Sequence, residues 1–274
     1  MARTGRGGRS RRREKQSSTG ATIKIVAILA AFLLIGVFVV RAMLAQKELD
    51  PETLCPPVAE NLTVLVVDVT DPLNLPQRQD FLNQLDRLSR SIPQYGKLVI
   101  YKVDPISDRL LEPVITKCNP GTAQDVSDID GNPGMTQKKW EDEFEEPLKR
   151  AFSQVIVENA ADRSPILESI QSISLTEVPA FQEEQKPIRL IVASDLLQNT
   201  DKVSFYGGLP AAAPFLESQE FRGVATDLRG VDVELWMLQR SDSASTQPRA
   251  LINLWDQIIS EQGATVSRVY NVSG

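Results

Sequence analysis

Residues 62–73, LTVLVVDVTDPL, constrain the fold of this chain more than any other stretch. Leu62, Val64 to Val67 and Val69 make an apolar, β-branched-rich run, with polar residues before it and Asp-Pro after it. That pattern reads as a strand buried on both faces, as in a parallel sheet covered by helices. Asp68 and Thr70 stand at its end, just before a loop at Asp71-Pro72, and a helix-like segment begins at Leu75. A carboxylate and a hydroxyl at the C-terminal end of a central parallel strand lie where open α/β sheets place their ligands. A second run, residues 188–193, ends the same way, in Ser194-Asp195.

The segments around these runs alternate in type. Residues 76–91 carry Phe81, Leu82, Leu85 and Leu88 on one helical stripe. Residues 97–103 read as a second strand, and 110–116 as a third, set off by Asp104-Pro105 as an antiparallel edge or hairpin. Residues 119–134 are a Gly/Pro/Asp-rich surface loop. Placing Asp128, Asp130 and Gly131 in an EF-hand register puts Val126 at the first position, where it cannot ligate calcium. Residues 138–158 read as an amphipathic helix that Pro147 bends or begins. Residues 162–173 start a further helix, with Ser164 as N-cap and Pro165 at the first helical position. Residues 210–230 are expected to be helical, 231–238 a strand, 249–262 a helix stopped by Gly263, and 265–272 a last strand. Such alternation implies a three-layer α/β sandwich around a mostly parallel sheet. Trp236 and Trp255 fall at core positions of the late strand and helix.

The amino-terminal end is of another kind. Residues 25–40 are uninterruptedly apolar, flanked by Lys24 and Arg41. Extended to residue 45 with both cations snorkelling, the segment reaches the roughly 20 residues that cross a bilayer. Seven basic residues and one acid before residue 20 give the tail a charge of +6, which leaves −12 for the rest of a chain whose net charge is −6. This asymmetry argues against nucleic-acid binding by the main body. Its composition marks the tail as disordered. By the positive-inside rule the tail is cytoplasmic and the acidic body extracytoplasmic, or periplasmic in a bacterial-type envelope. The length of the run, Arg41, and the lack of a small-x-small cleavage site favour a retained signal anchor over a cleaved signal peptide. The expected organisation is a basic tail at 1–22, a transmembrane anchor at 23–45, a linker at 46–60 and a folded domain at 61–274.

Two cysteines, Cys55 and Cys118, suit one disulfide in that compartment, and equally two unrelated thiols. The chain has no His, which removes His-based triads and imidazole acid–base catalysis. The stretch Asp-Val-Thr-Asp-Pro at residues 68–72 has no glycine, so the first strand leads into neither a dinucleotide fingerprint nor a P-loop. An aspartyl-nucleophile phosphatase would want a second acid where Thr70 stands, although Lys202 follows the second Asp. Divalent-cation chemistry suits the residues better, since Mg²⁺ takes a few carboxylate and hydroxyl oxygens and keeps several waters. Each residue of the set also has a structural role open to it: Asp68 and Thr70 can cap the following turn, Ser164 a helix, and Asp195 its own loop.

The order of elements, with Asp68, Thr70, Ser164 and Asp195 in three separate loops, resembles the von Willebrand factor A (vWA) fold. That family carries Asp-x-Ser-x-Ser after its first strand, a Thr in a later loop and an Asp after the fourth strand. The resemblance runs from about Glu60 to the C-terminus. Asp68 matches the motif Asp, Thr70 its first hydroxyl, Ser164 the loop Thr and Asp195 the late Asp, whereas Pro72 stands where the second Ser would be. It implies a Rossmann-like, membrane-anchored adhesion or scaffold domain that binds a protein partner within a membrane-associated complex, with a Mg²⁺ site at those four residues. No small-molecule substrate is expected. The alternative is a Mg²⁺-dependent hydrolase or phosphatase with Asp68 as nucleophile.

Overall fold

The computed structural model describes residues 18–45, 48–69, 73–105, 110–127, 131–156, 161–240 and 247–272, with side chains described for none of 18–21 and 42–45. Thr70, Asp71, Pro72, Asp128, Asp130 and the basic residues before Ser18 lie outside them. The chain divides into two units after Glu48.

The first unit contains helix α1, Ser18–Ala45. Its window Thr22–Arg41, 20 residues of mean hydropathy 2.9, is long and apolar enough to cross a bilayer. Its described side chains are exposed, as befits a segment apolar on every side.

The second unit is built on one six-stranded sheet. Its strands are β1 Leu62–Val67, β2 Lys97–Lys102, β3 Ile115–Cys118, β4 Ile188–Ser194, β5 Val231–Leu238 and β6 Thr265–Val272. They lie in the order β3-β2-β1-β4-β5-β6, all neighbours pairing parallel except β2 with β3. Every residue of β1 is buried, as its unbroken apolar run requires of a central parallel strand. Leu62, Val64 and Val66 face one layer, and Leu65 and Val67 the other. The first layer contains helices α5 Ile166–Thr176 and α9 Arg249–Glu261, which supply Ile170, Ile173, Leu254 and Trp255. The second contains α2 Leu75–Ser91, α3 Pro133–Trp140 and α4 Glu146–Val155, which supply Phe81, Leu85, Trp140 and Phe152. The architecture is therefore the three-layer α/β sandwich that the alternation implies.

Helix boundaries follow local chemistry. Asn74 caps α2, accepting the Gln77 N–H while the Gln77 side chain takes the Asn74 N–H. Helix α9 ends before Gly263, whose φ of +87° suits glycine in the left-handed region. Pro147 cannot supply a helical N–H, and a π-helical turn, Glu141–Glu145, lies just before it between α3 and α4.

Three expectations are corrected. The third strand begins at Ile115 rather than Leu110: Pro113 has no N–H to give a ladder, and the Leu111 N–H goes to Ser172 Oγ at 2.8 Å. The segment 210–230 holds two short helices, α7 Ala212–Leu216 and α8 Gln219–Arg222, divided where Ser218 caps the second by accepting the Phe221 N–H. Ser164 is not an N-cap, because α5 begins at Ile166 after Pro165 with no side-chain cap, and the Ser164 hydroxyl is used elsewhere. Helix α6, Val178–Glu183, has no counterpart in the sequence reading.

Cys55 and Cys118 are joined by a disulfide, with Cα atoms 4.8 Å apart. The segment before β1 is thereby fixed to the β3 edge, where Thr53 O also accepts the Cys118 N–H at 2.8 Å. Asp50 shapes that segment by accepting from the Thr53 N–H and hydroxyl at 2.7 and 2.8 Å.

Candidate functional site

β1 and β4 are adjacent and parallel, so their C-terminal ends open on the same edge of the sheet. Asp68 follows β1 directly, held by its N–H on Ala193 O at 2.8 Å, and is buried. Its Oδ2 accepts two hydroxyls, from Ser164 at 2.5 Å and from Ser194 at 2.8 Å. Ser164 reaches it from the loop before α5. Its backbone forms a two-way antiparallel bridge with Asn199, both N–H···O distances being 2.9 Å.

Successive residues of a regular strand face opposite ways, yet Ser194 and Asp195 both reach the site. The chain leaves the sheet here: Leu196 has φ +64°, and its N–H turns back to Ser194 Oγ at 2.9 Å. Asp195 Oδ1 accepts the Leu197 N–H at 2.9 Å and lies 3.5 Å from the Ser194 hydroxyl. Trp255 Nε1, donating to Leu196 O at 2.8 Å, fixes this turn from the core side.

The outer oxygen of Asp195 is taken by a residue that the sequence reading did not single out. Arg240 Nε donates to Asp195 Oδ2 at 2.6 Å in an ion pair whose side chains are 20% and 7% exposed. The guanidinium lies over the Tyr206 ring, 5.0 Å from its centre, and donates to the Tyr206 hydroxyl. Gln247 ties the parts together. It accepts the Arg240 N–H at 2.9 Å and donates to Asp195 O and Leu238 O at 3.0 and 2.9 Å. A usable signal for Arg240 was present: it lies two residues beyond β5, the strand next to β4, and so at the same edge.

Burial first, and then the charge of Asp68, push the Asp195 carboxyl up to about 7, against the pull of the Leu197 N–H and the Ser194 hydroxyl. The guanidinium favours the charged carboxylate as well, and the two groups stand as an ion pair. Burial, followed by the charges of Asp195 and Asp68, raises the Tyr206 phenol, which stays protonated.

Of the four residues expected to hold a metal, Asp68, Ser164 and Asp195 come together, and Thr70 lies outside the described residues. Two carboxylates and two hydroxyls are oxygen donors of the kind Mg²⁺ takes. Arg240 donates to Asp195 Oδ2 and two hydroxyls donate to Asp68 Oδ2, so an ion bound through these two oxygens would have to displace those donors. No group of three or more His, Cys, Asp or Glu gathers among the described residues.

Strand order, the antiparallel β3 edge and a hydroxyl–carboxylate cluster after the first and fourth strands define a vWA-like fold. No family model matches the chain, and no curated protein does. Among solved structures, 78% of the chain is similar to the ArnB paralog VWA2 of Sulfolobus acidocaldarius, at 12% identity and a TM-score of 0.39. The chain spans 41% of the length of that protein. The same share is similar to the SpRpn10 VWA domain, at 7% identity and a TM-score of 0.39, covering 88% of it. It is also similar to an aerotolerance-related membrane protein of Bacteroides fragilis, at 10% identity and a TM-score of 0.35, covering 92% of it.

Proposed function

We propose that this chain is a single-pass membrane protein whose vWA-like body binds a protein partner at the carboxyl edge of its sheet, as part of a membrane-associated complex. One observation carries the reading: Asp68, Ser164, Ser194, Asp195 and Arg240 converge at that edge, with Tyr206 exposed beside them. A half-exposed tyrosine backed by a guanidinium is the kind of aromatic anchor on which interfaces concentrate their binding energy. The apolar run of α1 supplies the anchor. The basic residues before it support a cytoplasmic N-terminus and an extracytoplasmic body. The excess of acid in the body supports a protein partner over nucleic acid.

The hydrolase reading has less support. Asp68 is buried, and its Oδ2 accepts two hydroxyls, which lowers the nucleophilicity of the carboxylate. Partner binding as proposed does not require Mg²⁺.

Co-purification of the full chain from detergent-solubilised membranes tests this. Tyr206→Ala is expected to reduce recovery of the partner roughly tenfold or more. Asp227→Ala, in the loop before β5 at the opposite edge, is expected to leave recovery unchanged. Equal recovery with both variants would refute docking at the carboxyl edge.

A further inference from the structure

We infer that Arg240 is the resident cation of the carboxyl-edge site: its guanidinium supplies the positive charge beside the buried acids, and the body is complete without metal. The inference is independent of partner binding and rests on three features of the geometry.

The first is placement. Asp68, Asp195 and Arg240 follow three strands that are consecutive in the sheet, β1, β4 and β5, so two acids and one permanent cation arrive at one edge. Two carboxylates sunk together in a protein interior repel and need positive charge or hydrogen-bond donors. Asp68 receives donors, the hydroxyls of Ser164 and Ser194. Asp195 receives the charge, from Arg240 Nε at 2.6 Å.

The second is preorganisation. A side chain that met a carboxylate by chance at the surface would be held at its tip alone. Arg240 is held at both ends. Gln247, itself buried, fixes its backbone N–H and also binds the carbonyls of Leu238 and Asp195, which joins the β5 exit to the β4 exit. At the far end Tyr206 receives the guanidinium with both its ring and its hydroxyl.

The third is chemical. Arginine stays charged at any physiological pH and is more weakly hydrated than a lysine ammonium, so it suits a partly buried ion pair. A Mg²⁺ ion would keep several waters in near-octahedral geometry and would have to displace the guanidinium from Asp195 Oδ2.

The test is thermal unfolding of the full chain in detergent, with millimolar Mg²⁺ or Mn²⁺ and, separately, with EDTA. Wild type is expected to melt at the same temperature in all three. Arg240→Met leaves a buried carboxylate unpaired and is expected to lower Tm by roughly 6–15 °C. Adding Asp195→Asn removes that stranded charge and is expected to recover most of the loss with no metal present. Two results would overturn the inference: a wild-type Tm that rises with Mg²⁺ and falls with EDTA, or a double variant that melts no higher than Arg240→Met.

Discussion

Replacing Cys55 and Cys118 together by alanine is expected to lower the stability of the body by about 3–5 kcal/mol. The bridge spans a sequence separation of 63 and constrains the unfolded chain far more than a short loop would. In the folded state it holds the segment containing Asp50, Thr53 and Leu54 against β3, an edge strand of four residues with few other neighbours. Denaturant unfolding of the full chain, followed by circular dichroism, should show a lower midpoint for the double variant. Reducing the wild type should reproduce that shift. An unchanged midpoint in both cases would mean that the backbone bonds at this edge suffice without the bridge.

The second large effect is expected at Trp255. Its indole is fully buried between the sheet and α9, edge-on to Phe205 at 6.3 Å, and its N–H holds the Leu196 carbonyl at the turn that aims Ser194 and Asp195. Trp255→Ala should cost about 3–5 kcal/mol, from lost burial and the cavity left behind. Trp255→Phe keeps most of the packing and loses the hydrogen bond, so about 1–2 kcal/mol is expected. The same denaturant titration checks both values. Equal losses for the two variants would show that the hydrogen bond, and not the volume, dominates.

The elements that could be read directly from sequence were those whose pattern is set by burial on a regular lattice. β5 and β6 occupy the expected residues 231–238 and 265–272, and β1 is buried on both faces as its valine-rich run requires. Helix α9 stops at Gly263, where the backbone needs a left-handed residue. Legibility failed where distant partners decide. Ser164-Pro165 has the local form of a helix cap, yet the Ser164 hydroxyl finds a buried carboxylate 96 positions earlier in the chain. The segment 210–230 has helical composition, but Ser218 ends one turn and starts another. At the site, Asp68 and Asp195 were visible because each follows a long apolar run. Ser194 was hidden by the alternation rule, which points it to the other face until Leu196 turns the chain. Arg240 is legible only once β4 and β5 are placed side by side, a pairing that brings it to Asp195, 45 positions away.

Compartment is central to the proposed function, which puts the disulfide-linked, acidic body and its partner on the side of the membrane opposite the basic tail. Protease added to intact spheroplasts, read with separate antibodies against the tail and the body, tests it most directly. The account predicts that the body is digested while a fragment containing the tail and α1 survives. A body that stays intact until the membrane is opened would contradict it.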